Sequence, residues 1–233
     1  LVVGLTRQRA SEDIAFPWRP VELVVMSTFD QIFLLSPANC SGRRAELLFN
    51  DRAEFFLARK LRSEGATLGE VFSFLSGLYY RGKITYARAF AGSQAKSSAI
   101  CTITASRGLV DPETIVTLND LRQFGEVPIE SNEPRYREPL MRDAVDLAQR
   151  LAMAGRAVLL GSVASDKYVS ILQKAFGERL VFPQAFVGRG DMSRGGLLLR
   201  AVDAGEELSY VPVMTSMRRG TRPEKLPPRR RRP

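Results

Sequence analysis

The nine residues from Gly188 to Gly196 hold four glycines together with Arg189, Asp191, Ser193 and Arg194. Two guanidinium groups beside glycines that admit a ligand to the backbone suit an anion-binding corner, more so where a helix begins and presents free amides. Ser193 is placed to cap such a helix and Gly205 to end it. The same residues also suit a plain strand-to-helix turn in which Asp191 pairs with Arg189 or Arg194. Three further loops have a similar character, and each follows an apolar run. The first supplies Ser36, Asn39, Cys40, Ser41, Arg43 and Arg44; the second supplies Arg107; the third supplies Ser162, Ser165, Asp166, Lys167 and Tyr168.

Hydroxyls, a carboxamide and arginines gathered in this way match phosphate, ribose or base edges. Asp166, Asp191 and Lys167 are the candidates for acid/base work. Each also has a structural reading: Asp166 favours the first turn of a helix, Lys167 is a solvated lysine, and Asp191 is half of an ion pair. Cys40 is either a thiolate stabilised by nearby arginines or a buried, inert thiol. The chain has no histidine. That excludes Ser-His and Cys-His nucleophiles and His-ligated zinc sites. No spacing matches a Walker loop, and Gly188-x-Gly190 lacks the third glycine of a dinucleotide fingerprint. Neither a cofactor nor a metal is expected.

The elements that must hold these loops follow from hydrophobic patterning. Strands are expected over 21–26, 31–35, 99–104, 157–160 and 208–213, with short apolar runs over 180–182 and 185–187. Helices are expected over 45–63, a short stretch after Thr67, 82–91, part of 114–124, 140–154, and a segment carrying Val169, Leu172 and Phe176 capped by Ser165. Thr67 and Glu70 have capping-box spacing. The aromatics Phe72, Phe74, Tyr79, Tyr80, Tyr86 and Phe90 lie among Arg81, Lys83 and Arg88, a mixture that suits either base stacking or, at helical spacing, a core face. Alternating strands and helices imply an α/β fold: one layered domain with a mixed, mainly parallel central sheet and helices on its faces. In such sheets ligands sit at the carboxyl ends of the strands, so a parallel arrangement gathers the four loops at one edge.

The 233 residues are 45% hydrophobic and 25% charged, an ordinary globular composition with a net charge of +9. Residues 218–233 carry eight cations against Glu224, a net of +7, which leaves +2 for the rest. The expected organisation is an irregular lead-in over 1–20, one domain over 21–217 and a disordered basic tail over 218–233. No apolar run approaches the roughly 20 residues of a membrane span. Two cysteines, Cys40 and Cys101, make no disulfide framework, and a reducing cytoplasm is the expected location.

Four segments, in order, resemble the YaaA-type peroxide-stress family. Ser36-Pro37-Ala38 is similar to its Ser-Pro-Ala-Lys, with Asn39 at the lysine position. Gly108-Leu109-Val110-Asp111-Pro112 resembles its Gly-x-x-x-Pro, and Ala164-Ser165-Asp166-Lys167-Tyr168 its Ala-Ser-x-Glu-Tyr. Arg189-Gly190-Asp191-Met192-Ser193-Arg194 resembles its Arg-Gly-x-Met-Ser-Arg. The resemblance implies a compact α/β fold with a positive cleft, DNA binding and a role under oxidative stress. The expected function is therefore a nucleic-acid-binding protein, with DNA as the expected partner and an arginine-lined cleft. The alternative is a hydrolase or transferase acting on a nucleotide, nucleoside or modified nucleobase, with Asp166 or Asp191 as acid/base group.

Overall fold

The structure is a computed structural model that describes residues 29–92 and 99–227; the strand expected over 21–26 lies outside them. Strand β1 (Phe29–Leu35) ends in Ile32, Phe33, Leu34 and Leu35, all fully buried. A continuous apolar run of this kind belongs to an interior parallel strand, covered on both faces. β1 pairs in parallel with β3 (Ile100–Ile103) on one side and with β6 (Leu151–Leu160) on the other. β7 (Leu180–Pro183) continues the parallel series beyond β6. Antiparallel strands close both edges, β4 (Leu109–Val110) beside β3 and β8 (Tyr210–Pro212) beside β7. The six-stranded order is β4-β3-β1-β6-β7-β8. A separate antiparallel ribbon joins β2 (Ala66–Thr67) to β5 (Ile115–Val116).

The helices are α1 (Arg43–Phe49), α2 (Phe56–Ser63), α3 (Leu68–Ser76), α4 (Leu78–Phe90), α5 (Leu118–Glu126), α6 (Pro134–Gln149), α7 (Asp166–Phe176) and α8 (Asp191–Ala204). The molecule is thus α/β, with a mixed, mostly parallel sheet flanked by helices. The capping box at Thr67 and Glu70 forms as its spacing requires, and Thr117 with Asp120 makes a second one on α5.

Most elements differ from expectation by a few residues at their ends, α4 starting at Leu78 and not 82, and two differ more. The helix over 45–63 is two helices. Asn50 turns the chain between them: its Oδ1 accepts from Arg52 N–H (2.9 Å) and its carbonyl from Ala53 N–H (2.9 Å). An asparagine side chain that captures a nearby amide competes with helix propagation. The helix over 140–154 instead starts at Pro134, where Glu133 caps it by accepting from Arg135 N–H, and it stops at Gln149. Leu151 and its successors leave helix for β6, where Leu151 pairs with Phe29 and Ala157 with Ile32. The sheet ladder overrides the helix propensity of an alanine-rich run.

α4 and α8 cross at very short range. A Cβ on Gly82 would lie 2.7 Å from Gly195 O, and one on Gly195 would lie 2.7 Å from Leu78 O. Glycine on both helices therefore brings their backbones together. This packing seats α4 against the sheet, with Tyr79, Tyr80, Lys83, Tyr86 and Ala87 buried. The aromatic face of α4 is core.

Candidate functional site

β1 connects onward to β3 on one side, whereas the chain leaving β6 goes to β7 on the other. Neighbouring parallel strands whose connections diverge leave a crevice at their carboxyl ends. A cavity of about 600 Å³ occupies that position. The loop after β1 contributes Ser36, Asn39, Cys40 and Ser41; the loop after β6 contributes Ser162, Ser165, Lys167 and Tyr168; the start of α8 contributes Asp191. Gly161 keeps the two loops in contact, because a Cβ there would lie 2.7 Å from Tyr168 Oη and 2.9 Å from Ser36 Cβ.

Three of the four loops meet here. The second does not line the cavity; in its place stands the segment from Phe124 to Glu130 at the end of α5. β4 turns back antiparallel on β3, which carries that loop away from the β1–β6 crevice. Arg107 pairs with Asp120 and lies 5.6 Å from the Phe124 ring centre. Arg43 is exposed at the start of α1, and Arg44 donates to Phe74 O at 3.0 Å.

The fourth loop divides between two places. α8 begins at Asp191 with Gly190 as N-cap, so Ser193 lies one turn inside the helix and is not its cap. Ser193 Oγ instead accepts from Arg189 (3.2 Å), which also donates to Ala185 O and Glu224 O. Arg189 and Ser193 line a second cleft of about 470 Å³ with Arg200, Arg222 and Lys225. Arg194 turns inward and is 7% exposed; it donates to Phe186 O and to Asp191 Oδ1, each at 3.3 Å. Asp166 does not line the cavity: it accepts from Arg218 at 3.0 Å, while Arg219 donates to Ala164 O. The chain over 213–227 has no helix or strand beyond residue 212 and runs back over these elements. Ser165 holds the N-cap position of α7, but its hydroxyl makes no capping bond and lines the cavity instead.

Burial pushes the Cys40 thiol up to about 12, so it is the inert thiol of the two alternatives. No disulfide joins Cys40 to Cys101. Tyr168 is also pushed up to about 12 by burial, against the Ser36 hydroxyl and the Ser162 carbonyl to which it donates at 2.9 Å. Tyr79 lines the cavity and is 4% exposed; its hydroxyl is fully buried beside the Arg194 side chain, with no well-formed hydrogen bond among the described residues.

Beneath the cavity is a residue that pattern analysis placed only among core aromatics. Lys83 of α4 is 0% exposed, and its Nζ donates to Ser36 O at 2.6 Å and to Ser36 Oγ at 2.8 Å. The rings of Tyr79 and Tyr80 lie 4.5 and 5.0 Å from it. Burial brings its amine down to about 7, with Asp191 opposing the shift. The available sequence signal was a lysine at i+4 from Tyr79 and i+3 from Tyr80, on the apolar face. No cluster of metal-ligating side chains lies among the described residues. No helix among them is long and apolar enough to cross a membrane.

The fold and cavity define an α/β protein with a polar crevice at a topological switch point. Comparison with protein-family models, curated proteins and solved structures finds no match for this chain.

Proposed function

We propose that the cavity belongs to an enzyme acting on a nucleoside or modified nucleobase, with Asp191 as its acid/base group. The observation that carries this reading is the make-up of the cavity at the β1–β6 switch point, where Ser36, Asn39, Ser41, Ser162 and Ser165 meet the Asp191 carboxylate. Serine hydroxyls and the Asn39 carboxamide offer donors and acceptors for sugar and base edges, and the Phe124 and Tyr79 rings offer apolar surface to a planar group. Charge decides against a phosphate. Glu126, Glu130 and Asp191 line the cavity against Lys167, so an uncharged ligand avoids a repulsion that a phosphorylated one would meet. The test is calorimetric titration of the whole protein with a panel of nucleosides and nucleobases. Asn39→Ala should weaken binding roughly tenfold, the value of one hydrogen bond, and Asp191→Asn should stop turnover. Absence of binding by every member of the panel would refute the reading.

Nucleic-acid binding has a separate support. The second cleft gathers Arg189, Arg200, Arg222 and Lys225 around Glu224, an excess of positive charge suited to a phosphate backbone. DNA as the partner and oxidative stress as the setting rest on the family resemblance.

A further inference from the structure

Ser36 and Lys83 form a pair built for more than anchoring. The bond to the Ser36 carbonyl holds the Lys83 amine in place, and the bond to Oγ aims it at the hydroxyl. Ser36 is equally fixed: it is the first residue after β1, and its N–H donates to Leu160 O at 3.2 Å. Ser36 lines the cavity, and its hydroxyl meets the buried amine and the Tyr168 hydroxyl. Among the described residues, no carboxylate makes an ion pair with Lys83. The groups that face it are the Tyr79 and Tyr80 rings on its own helix, Ser36 at the end of β1, and Asp191 across the α4–α8 contact.

We propose that Ser36 is the nucleophile of an acyl-transfer reaction and Lys83 its general base, the substrate being an ester- or amide-linked acyl group. A serine is too weak a nucleophile without an adjacent base, and a neutral lysine amine fills that role in a chain that has no histidine. In the neutral amine an N–H still donates to Ser36 O while the lone pair faces Oγ, so the Oγ–H now donates to Nζ, and its proton passes to Nζ as Oγ bonds to the acyl carbon. The resulting ammonium returns that proton to the leaving oxygen or nitrogen as its bond to the acyl carbon breaks. Water then repeats the sequence: it gives a proton to Lys83, its oxygen bonds to the acyl carbon, and Ser36 Oγ leaves and recovers a proton from Lys83. This proposal requires the cavity to be a reaction site; it does not require the ligand to be a nucleoside.

The experiment treats the full chain with a fluorophosphonate, a reagent for activated serines, and follows intact mass, peptide mapping and labelling rate against pH. One adduct is expected, on Ser36, absent in Ser36→Ala. Lys83→Met should slow labelling roughly 100-fold or more, the usual contribution of a general base. The wild-type rate should rise with pH through a midpoint near 7. Hydrolysis of a 4-nitrophenyl acyl ester should follow the same profile. Absence of an adduct on Ser36 in the folded protein overturns the proposal, as does wild-type reactivity in Lys83→Met. Should Lys83→Met fail to fold, the wild-type profile decides alone, and a flat one overturns it. Labelling of Ser36 without nucleoside binding refutes only the nucleoside reading; nucleoside binding without labelling refutes only this one.

Discussion

Lys83 makes the stability of the protein depend on pH. A lysine in the unfolded chain keeps its proton to about pH 10.4, whereas the folded protein releases it near 7. Between those values the unfolded state binds more protons, so stability rises as pH rises and is lost again as pH falls toward 7. Below 7 the cost of the buried charge is constant. Denaturant melts from pH 7 to 8.5 should therefore show wild type gaining roughly 1 kcal/mol per pH unit and Lys83→Met gaining little. Toward pH 8.5 the unfolded thiols begin to ionise while the folded ones, raised by burial, do not; this lowers both slopes equally, so the difference between the two proteins reports Lys83. Equal slopes in the two proteins would show that Lys83 is charged throughout. At this scale the sequence displayed the serines and Asp191 clearly, because each follows an apolar strand or opens a helix. It hid Lys83, whose placement depends on which face of α4 meets β1. It also hid the direction of Arg194: nothing local distinguishes a guanidinium turned toward Phe186 O from one offered to solvent.

The α4–α8 crossing can be tested through its glycines. Alanine at Gly82 or Gly195 gains about 1 kcal/mol of helix propensity, but its Cβ meets backbone oxygen at 2.7 Å. Backbone cannot rotate aside, so overpacking of roughly 3 kcal/mol wins. Each variant should lose roughly 4–8 °C in melting temperature; an unchanged or raised melting temperature would mean that the crossing relaxes freely. The strand-helix alternation and the apolar runs of β1 and β6 were enough to read the sheet as mainly parallel. The antiparallel return of β4 was not readable from its two residues, and that return is what removes Arg107 from the crevice. The break at Asn50 was not readable either, since Phe49, Ala53, Phe56, Leu57 and Leu61 keep helical spacing across it.

For the whole molecule, positive charge is concentrated at the carboxyl-terminal end, with Arg229, Arg230, Arg231 and Arg232 in succession. Each phosphate neutralised on a duplex contributes roughly 0.9 to the slope of log affinity against log salt. Replacing these four arginines by serine should lower that slope by about 3–4 if they contact DNA, measured on the otherwise intact chain. An unchanged slope would assign duplex contact elsewhere, with the cleft of Arg189 and Arg200 as the next surface to alter. The strand order has a different consequence, in time. Gln31 on β1 meets Arg156 on β6 across 125 residues of sequence. A ribosome adding roughly 5–20 residues per second needs on the order of ten seconds to make them. β3 is available sooner to cover one edge of β1, while the other edge waits beside Ile32, Phe33, Leu34 and Leu35. During synthesis, then, an apolar strand stays bare along one side, and the yield of folded protein depends on whether its own β6 or a stranger's strand reaches it first.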